Sequence, residues 1–150
     1  MSGSPAATAA VLAAGLLLCA ATPRPAAALE VQVTTVLATE QGQSDPLLVS
    51  LAPRLRRLVG AHAYQVVNQE RRRCTWHAQE SFALPDGVSL HLVPRSLSDD
   101  AVIMQVRLLD GRRRLVNTNV RLRNRGTMMF GVGRDPRGDG SLIVLLKAED

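Results

Sequence analysis

Between residues 116 and 123 the side chains change character at every step. Val116, Thr118, Val120 and Leu122 fall on one side, and Asn117, Asn119, Arg121 and Arg123 fall on the other. Only an extended strand sorts neighbours in this way, because successive Cβ atoms point to opposite faces. One face then lies against a core and the other in water, which is the habit of antiparallel sheets. The same alternation sets Val102, Met104, Val106 and Leu108 against Ile103, Gln105 and Arg107. It also sets Val88, Leu90 and Leu92 against Ser89, His91 and Val93, with Pro94 expected to end that strand. Asp110-Gly111 predicts a hairpin between two of these strands. Leu84-Pro85-Asp86-Gly87 predicts a turn before them. Leu29 to Leu37 reads as a first strand, Tyr64 to Asn68 begins another, Thr75 to Phe82 is a further one, Gly126 to Gly131 is a strand entry, and Leu142 to Lys147 is the last strand.

One segment breaks the period. Leu47, Leu48, Leu51, Leu55 and Leu58 recur at helical spacing. Ser44 or Asp45 can cap its start, with Pro46 at the first helical position, and Gly60 supplies a stop. Pro53 falls inside, so the helix either kinks or splits into a short turn and a second helix starting near Pro53. The expected fold class is α+β: one N-terminal strand, one kinked helix, then an antiparallel β-meander with the helix on one face.

The first 28 residues have a different character. Val11 to Ala21 is an apolar core of signal-peptide length, too short for a transmembrane helix. Ala26-Ala27-Ala28 fits a small-x-small cleavage site, although no Lys or Arg precedes the apolar core. The expected organisation is a signal peptide over residues 1–28 and a single α+β domain over residues 29–150. The mature chain is then periplasmic or secreted. Its contact with the membrane is only transient, through the signal peptide. Leu18 stands where a lipobox needs a small residue, so lipid anchoring at Cys19 is not expected. Without Cys19, Cys74 is alone and no internal disulfide is available.

The whole chain carries a formal charge of +5, with 18 basic and 13 acidic residues. Arg24 is the one charged residue before position 29, so the mature charge is 5 − 1, or +4. Arginine supplies every basic residue except Lys147, a bias that a GC-rich coding sequence also produces. Tyr64, Trp76, Phe82 and Phe130 are too few to form a stacking platform, so no nucleic-acid partner is expected.

The motifs that resemble chemistry have plainer explanations. Gly131-Val132-Gly133 leads into Arg-Asp-Pro-Arg-Gly-Asp-Gly and a strand, whereas a phosphate loop needs a helix N-terminus. Arg137-Gly138-Asp139 spells an adhesion tripeptide, but Gly-Asp pairs are ordinary turn residues, and a turn is expected. Cys74 and His77 have a Cys-x-x-His spacing that diverges on a strand, so a buried thiol is expected rather than a metal site or a nucleophile. Asp99-Asp100 lies in a polar loop and reads as a solvated turn. Neither G-x-S-x-G nor S-x-x-K occurs. No catalytic, cofactor-binding or metal-binding residue is therefore assigned, and no cofactor is expected. The arginine clusters 71–73 and 112–114 are expected beside strands, where they blunt sheet edges or meet an anionic lipid or polysaccharide.

Taken in order, these elements resemble a group of small exported, uncharacterised bacterial proteins of the myxobacterial type. The resemblance rests on Asp45-Pro46, Leu51, Leu55, Leu58 and Tyr64, then Phe82, Leu84-Pro85, Gly87, Leu90, Leu92 and Pro94. It continues through Gly126-Thr127, Gly131, Gly133, Gly140, Leu142 and Ile143. Arg125 stands where that group often has glycine. About twenty residues from Arg125 onward also resemble the C-terminal strand pair of the secretin core, without the longer secretin signature. The expectation is a non-enzymatic, exported binding or accessory protein of the cell envelope, meeting an envelope protein or an anionic surface. The alternatives are an accessory subunit of a secretin-type secretion complex, and an envelope hydrolase using Asp99, Asp100 or His77.

Overall fold

The computed structural model describes Gly3, residues 28–134, Gly138 and residues 140–150. The expected leader, with Cys19, lies outside these residues apart from Gly3 and Ala28, and so do Arg137 and Asp139. In chain order the elements are β1 (Ala28–Thr39), a 3-10 turn (Pro46–Leu51), α1 (Ala52–Val59), β2 (Ala63–Thr75) and β3 (Glu80–Ala83). There follow a short 3-10 turn (Pro85–Gly87), β4 (Val88–Ser98), β5 (Ala101–Asp110), β6 (Arg113–Arg123), β7 (Thr127–Arg134) and β8 (Ser141–Glu149).

These strands form two four-stranded antiparallel sheets, in the orders β2-β1-β8-β7 and β3-β4-β5-β6. This corrects the expected α+β meander. Strands hold 65% of the described residues and helical turns 14%, so the molecule is mostly β. The meander is confined to the second sheet. β1 does not stand apart, because β2 pairs along one side of it and β8 along the other, with Val33 opposite Glu70 and Leu146. The physical reason lies in Leu142-Ile143-Val144-Leu145-Leu146. All five are buried, so β8 needs cover on both faces, which a meander with one wet face cannot supply.

The two sheets pack face to face. Leu29, Val31, Val33, Cys74, Val144 and Leu146 of the first sheet meet Phe82, Leu90, Leu92, Met104, Val106 and Leu122 of the second in one buried cluster. On the far side of the first sheet, Val36, Ala38, Ile143 and Leu145 pack under Leu48, Leu55 and Tyr64. The result is three layers: helical segment, first sheet, second sheet. The second sheet leaves its outer face to water, as its alternation requires.

The helical segment follows the second of the two expected geometries. Asp45 Oδ1 accepts the Leu47 backbone N–H at 2.9 Å, and the 3-10 turn gives way to α1, with Pro53 in its first turn. Gly60 ends it in the left-handed conformation at φ 70° and donates its N–H to the Arg56 carbonyl at 2.8 Å. Leu48 and Leu55 are buried, but Leu47 and Leu58 of the expected apolar stripe face outward.

Three further expectations change. The arginines at 71–73 lie inside β2, which runs unbroken to Thr75. The strand expected from Thr75 to Phe82 is interrupted by a turn in which His77 has φ 67°. Pro94 does not end β4; it sits at a register shift, one of the few places where a strand tolerates a residue without an N–H.

The two flanks of the sandwich differ. On one flank edge strands β2 and β3 are bridged by Arg72, which donates to Glu70, to Glu80 and to the Ser81 carbonyl. On the other flank β6 and β7 are both edge strands, and each leaves one side of its ladder unpaired.

Candidate functional site

The residues singled out for possible chemistry do not converge. Cys74 faces the core opposite Leu29 and is fully buried. Burial pushes its thiol up to about 11, and the nearby Glu80 carboxylate adds to the rise. A nucleophile or metal ligand needs the thiolate, which this position disfavours. His77 lies past the end of β2, with its backbone N–H donating to the Pro94 carbonyl at 2.8 Å. No hydrogen bond joins it to Cys74 among the described residues, and no group of three or more His, Cys, Asp or Glu is placed to hold a metal ion there.

Asp99 and Asp100 form the two-residue turn between β4 and β5, at φ 50° and 58°. Two positive φ values in succession are what a tight hairpin of the primed type demands, and aspartate tolerates them. Asp100 is tied to Asn124, whose N–H donates to its carbonyl at 2.8 Å, and the Asp99 carboxylate lies 3.7 Å from Arg121. The glycine-rich segment joins two paired strands: Gly131 lies opposite Ile143, and Gly133 opposite Leu142, with a register shift between them. A strand follows it, not a helix.

A different surface assembles on the outer face of the second sheet. Registers place Ser81, His91, Arg107 and Asn117 in one row across all four strands. The next row carries Gln105 and Asn119, and the one after it Ile103 and Arg121. The side chains hold one another flat. His91 touches Gln79, Ser81 and Ser89 through its two ring nitrogens at 3.0 to 3.1 Å. Arg95 donates to Gln105 at 2.9 Å, Gln105 to Asn117 at 3.4 Å, and Arg107 to Gln79 at 3.5 Å.

Arg95, Arg107, Arg121 and Arg123 therefore share one face with amides, hydroxyls and an imidazole. None of the outward positions of β3 to β6 carries a carboxylate; the acidic neighbour is Asp99 at the hairpin tip. A face of one sign over a low-dielectric core raises the local concentration of opposite charge. Alternation had already placed Arg107, Arg121 and Arg123 outward. Arg95 continues the parity of Ser89 and His91, but an expected strand end at Pro94 leaves it out of the alternation; β4 in fact runs on to Ser98. Of the clusters at 71–73 and 112–114, only Arg114 reaches this face, opposite Leu109 in the row of Ser89.

No family model matches this chain, and neither does any curated protein or solved structure. Among the described residues no helix is long and apolar enough to cross a membrane.

Proposed function

We propose that the chain is an exported, non-enzymatic binding or accessory protein of the cell envelope, and that its partner presents an anionic surface. The observation that carries this reading is the outer face of the second sheet, with Arg95, Arg107, Arg114, Arg121 and Arg123 and no carboxylate on its outward positions. Guanidinium groups held by neutral amides keep their charge directed outward. They present planar donors that suit carboxylate or phosphate groups. The absence of a catalytic role is supported by the placement of the reactive candidates: a buried thiol, a turn imidazole and two turn carboxylates.

The test is co-sedimentation of the exported protein with isolated cell envelopes across a salt series. Binding is expected to weaken steeply with salt, since the screening length falls from about 10 Å at 0.1 M to about 3 Å at 1 M. Replacing Arg95 and Arg107 by Gln together should weaken it further. Binding that ignores both salt and these substitutions would sink the proposal.

A further inference from the structure

We infer that the cleft between α1 and the open β6–β7 flank holds the phosphate headgroup of an anionic membrane lipid and seats the domain on a lipid surface. The inference rests on the reading of an anionic envelope partner and names which one.

The cleft has a volume of about 600 Å³, within the range of small-ligand sites. Its walls bring together arginines that are far apart in the chain: Arg54 and Arg57 from α1, Arg121 and Arg123 from β6. Leu58, Met128 and Met129 supply its apolar surface, and no carboxylate lines it among the described residues. Arg54 is held in place by donating to the Thr127 carbonyl at 2.9 Å, and Arg121 faces Asp99 at 3.7 Å. The guanidinium groups of Arg57 and Arg123 have no hydrogen-bond or ion-pair partner among the described residues. Four positive charges around one cavity repel each other, so an anion between them lowers the energy of the arrangement. Two of the four have donors to spare.

The apolar lining decides which kind of anion. A fully hydrated phosphate or a polysaccharide gains nothing from leucine and methionine beneath the guanidinium groups. A phospholipid does, because its acyl and glycerol carbons lie directly below its charge. Methionine adapts its shape to such chains. The surroundings agree. Leu58, 46% exposed, lines the cleft, and Leu47 and Val49, 74% and 67% exposed, belong to the 3-10 turn that leads into α1. Exposed aliphatic residues beside arginines are the pattern of an interfacial membrane contact, with carbon below the headgroups and cations level with the phosphates. The sequence offered the clusters at 71–73 and 112–114 for an anionic lipid; the cleft gathers different arginines for it.

The test is sedimentation of the exported protein with vesicles of phosphatidylglycerol and phosphatidylcholine, compared with phosphatidylcholine alone, for four chains. These are wild type, Arg57→Gln/Arg123→Gln, Leu47→Ser/Val49→Ser, and Arg95→Gln/Arg107→Gln on the outer face. Wild type should bind the anionic vesicles and not the neutral ones. The cleft double variant should lose about tenfold or more in affinity, since each arginine near an anionic bilayer contributes appreciably. The serine variant should also bind more weakly, the outer-face variant should lose clearly less than the cleft variant, and inorganic phosphate should not compete. Arg57 and Arg123 are exposed and unpaired among the described residues, and Leu47 and Val49 are exposed, so the folded baseline of these two variants should hold. If either variant melts early, the other carries the same test.

Loss of vesicle binding in the outer-face variant with the cleft variant unchanged would overturn the inference. Competition by inorganic phosphate together with an unaffected serine variant would overturn it too, leaving a free-anion site. Envelope binding that survives without any vesicle binding would also overturn it, while the anionic-partner reading would stand. Failure to bind envelopes and vesicles alike would remove both.

Discussion

The Arg72 guanidinium lies over the Phe82 ring, 4.5 Å from its centroid. Arg72 belongs to the first sheet and Phe82 to the second, so the pair closes the β2–β3 flank of the sandwich. Glu70 and Glu80 hold the cation in that position, and the hydrogen bond that Arg72 donates to Glu70 is the main reason its pKa is raised. Stacking, two carboxylates and the Ser81 carbonyl engage different parts of one planar group, which an ammonium cannot reproduce. Arg72→Ala should cost about 1–2 kcal/mol, because the group is partly screened by water. Arg72→Lys should recover less than half of that in urea denaturation. Full recovery by lysine would show that charge alone holds the flank.

The helical layer gives a sharper contrast. Leu55 is fully buried against Val36, Tyr64 and Ile143, while Leu47, eight residues earlier, is 74% exposed. Leu55→Ala should cost about 2–5 kcal/mol by leaving a cavity. Leu47→Ala should change stability by no more than about 0.5 kcal/mol. Equal losses in thermal melts would mean that the helical segment sits differently on the first sheet.

The glycines near the last turn should not behave alike. A Cβ on Gly140 would stand 2.6 Å from Leu37 Cδ1 and 3.1 Å from the Ala38 carbonyl oxygen, and Gly133 has φ 131°. Gly140→Ala and Gly133→Ala should each cost about 1 kcal/mol or more. Gly131 and Gly138 have open space around them and no positive φ, so alanine there should be tolerated within about 0.5 kcal/mol. Chemical denaturation of the four variants checks this, and a costly Gly131→Ala would contradict it.

Alkaline stability should report on Cys74. Its thiol is pushed up to about 11 in the folded chain, against about 8.5 when unfolded. The folded state thus keeps a proton that the unfolded state has released. Stability is complete below about pH 8.5 and falls as pH climbs toward about 11. Tyr64, raised chiefly by burial, adds to the loss at the upper end. The Cys74→Ala variant should start less stable but lose less between about pH 8.5 and pH 10. Parallel melting curves for the two chains would argue against a buried thiol.

What the sequence determined by itself was local. Period-two alternation located β5 and β6 and the first half of β4 and sorted their faces, because it depends only on the direction of successive side chains. Asp110-Gly111 placed the hairpin between β5 and β6, since a two-residue turn leaves its strands no other neighbour. Proline and glycine marked both ends of the helical segment. The pairing of β1 with β8 was left to the tertiary structure. Leu29 to Leu37 carries no label for a partner more than a hundred residues away, and alternation is the same whichever strand lies alongside. One signal was present and pointed the right way: the unbroken run Leu142 to Leu146 called for cover on both faces, and hence for a second sheet and a helical layer. The cleft was not legible at all. Arg54, Arg57, Arg121 and Arg123 converge only because α1 packs on the first sheet beside its edge strand β7 and the second sheet brings β6 to the same flank. Charge adjacency along the chain pointed instead to Arg71 to Arg73 and Arg112 to Arg114. Convergence in space is a property of packing, and single-residue patterns do not encode it.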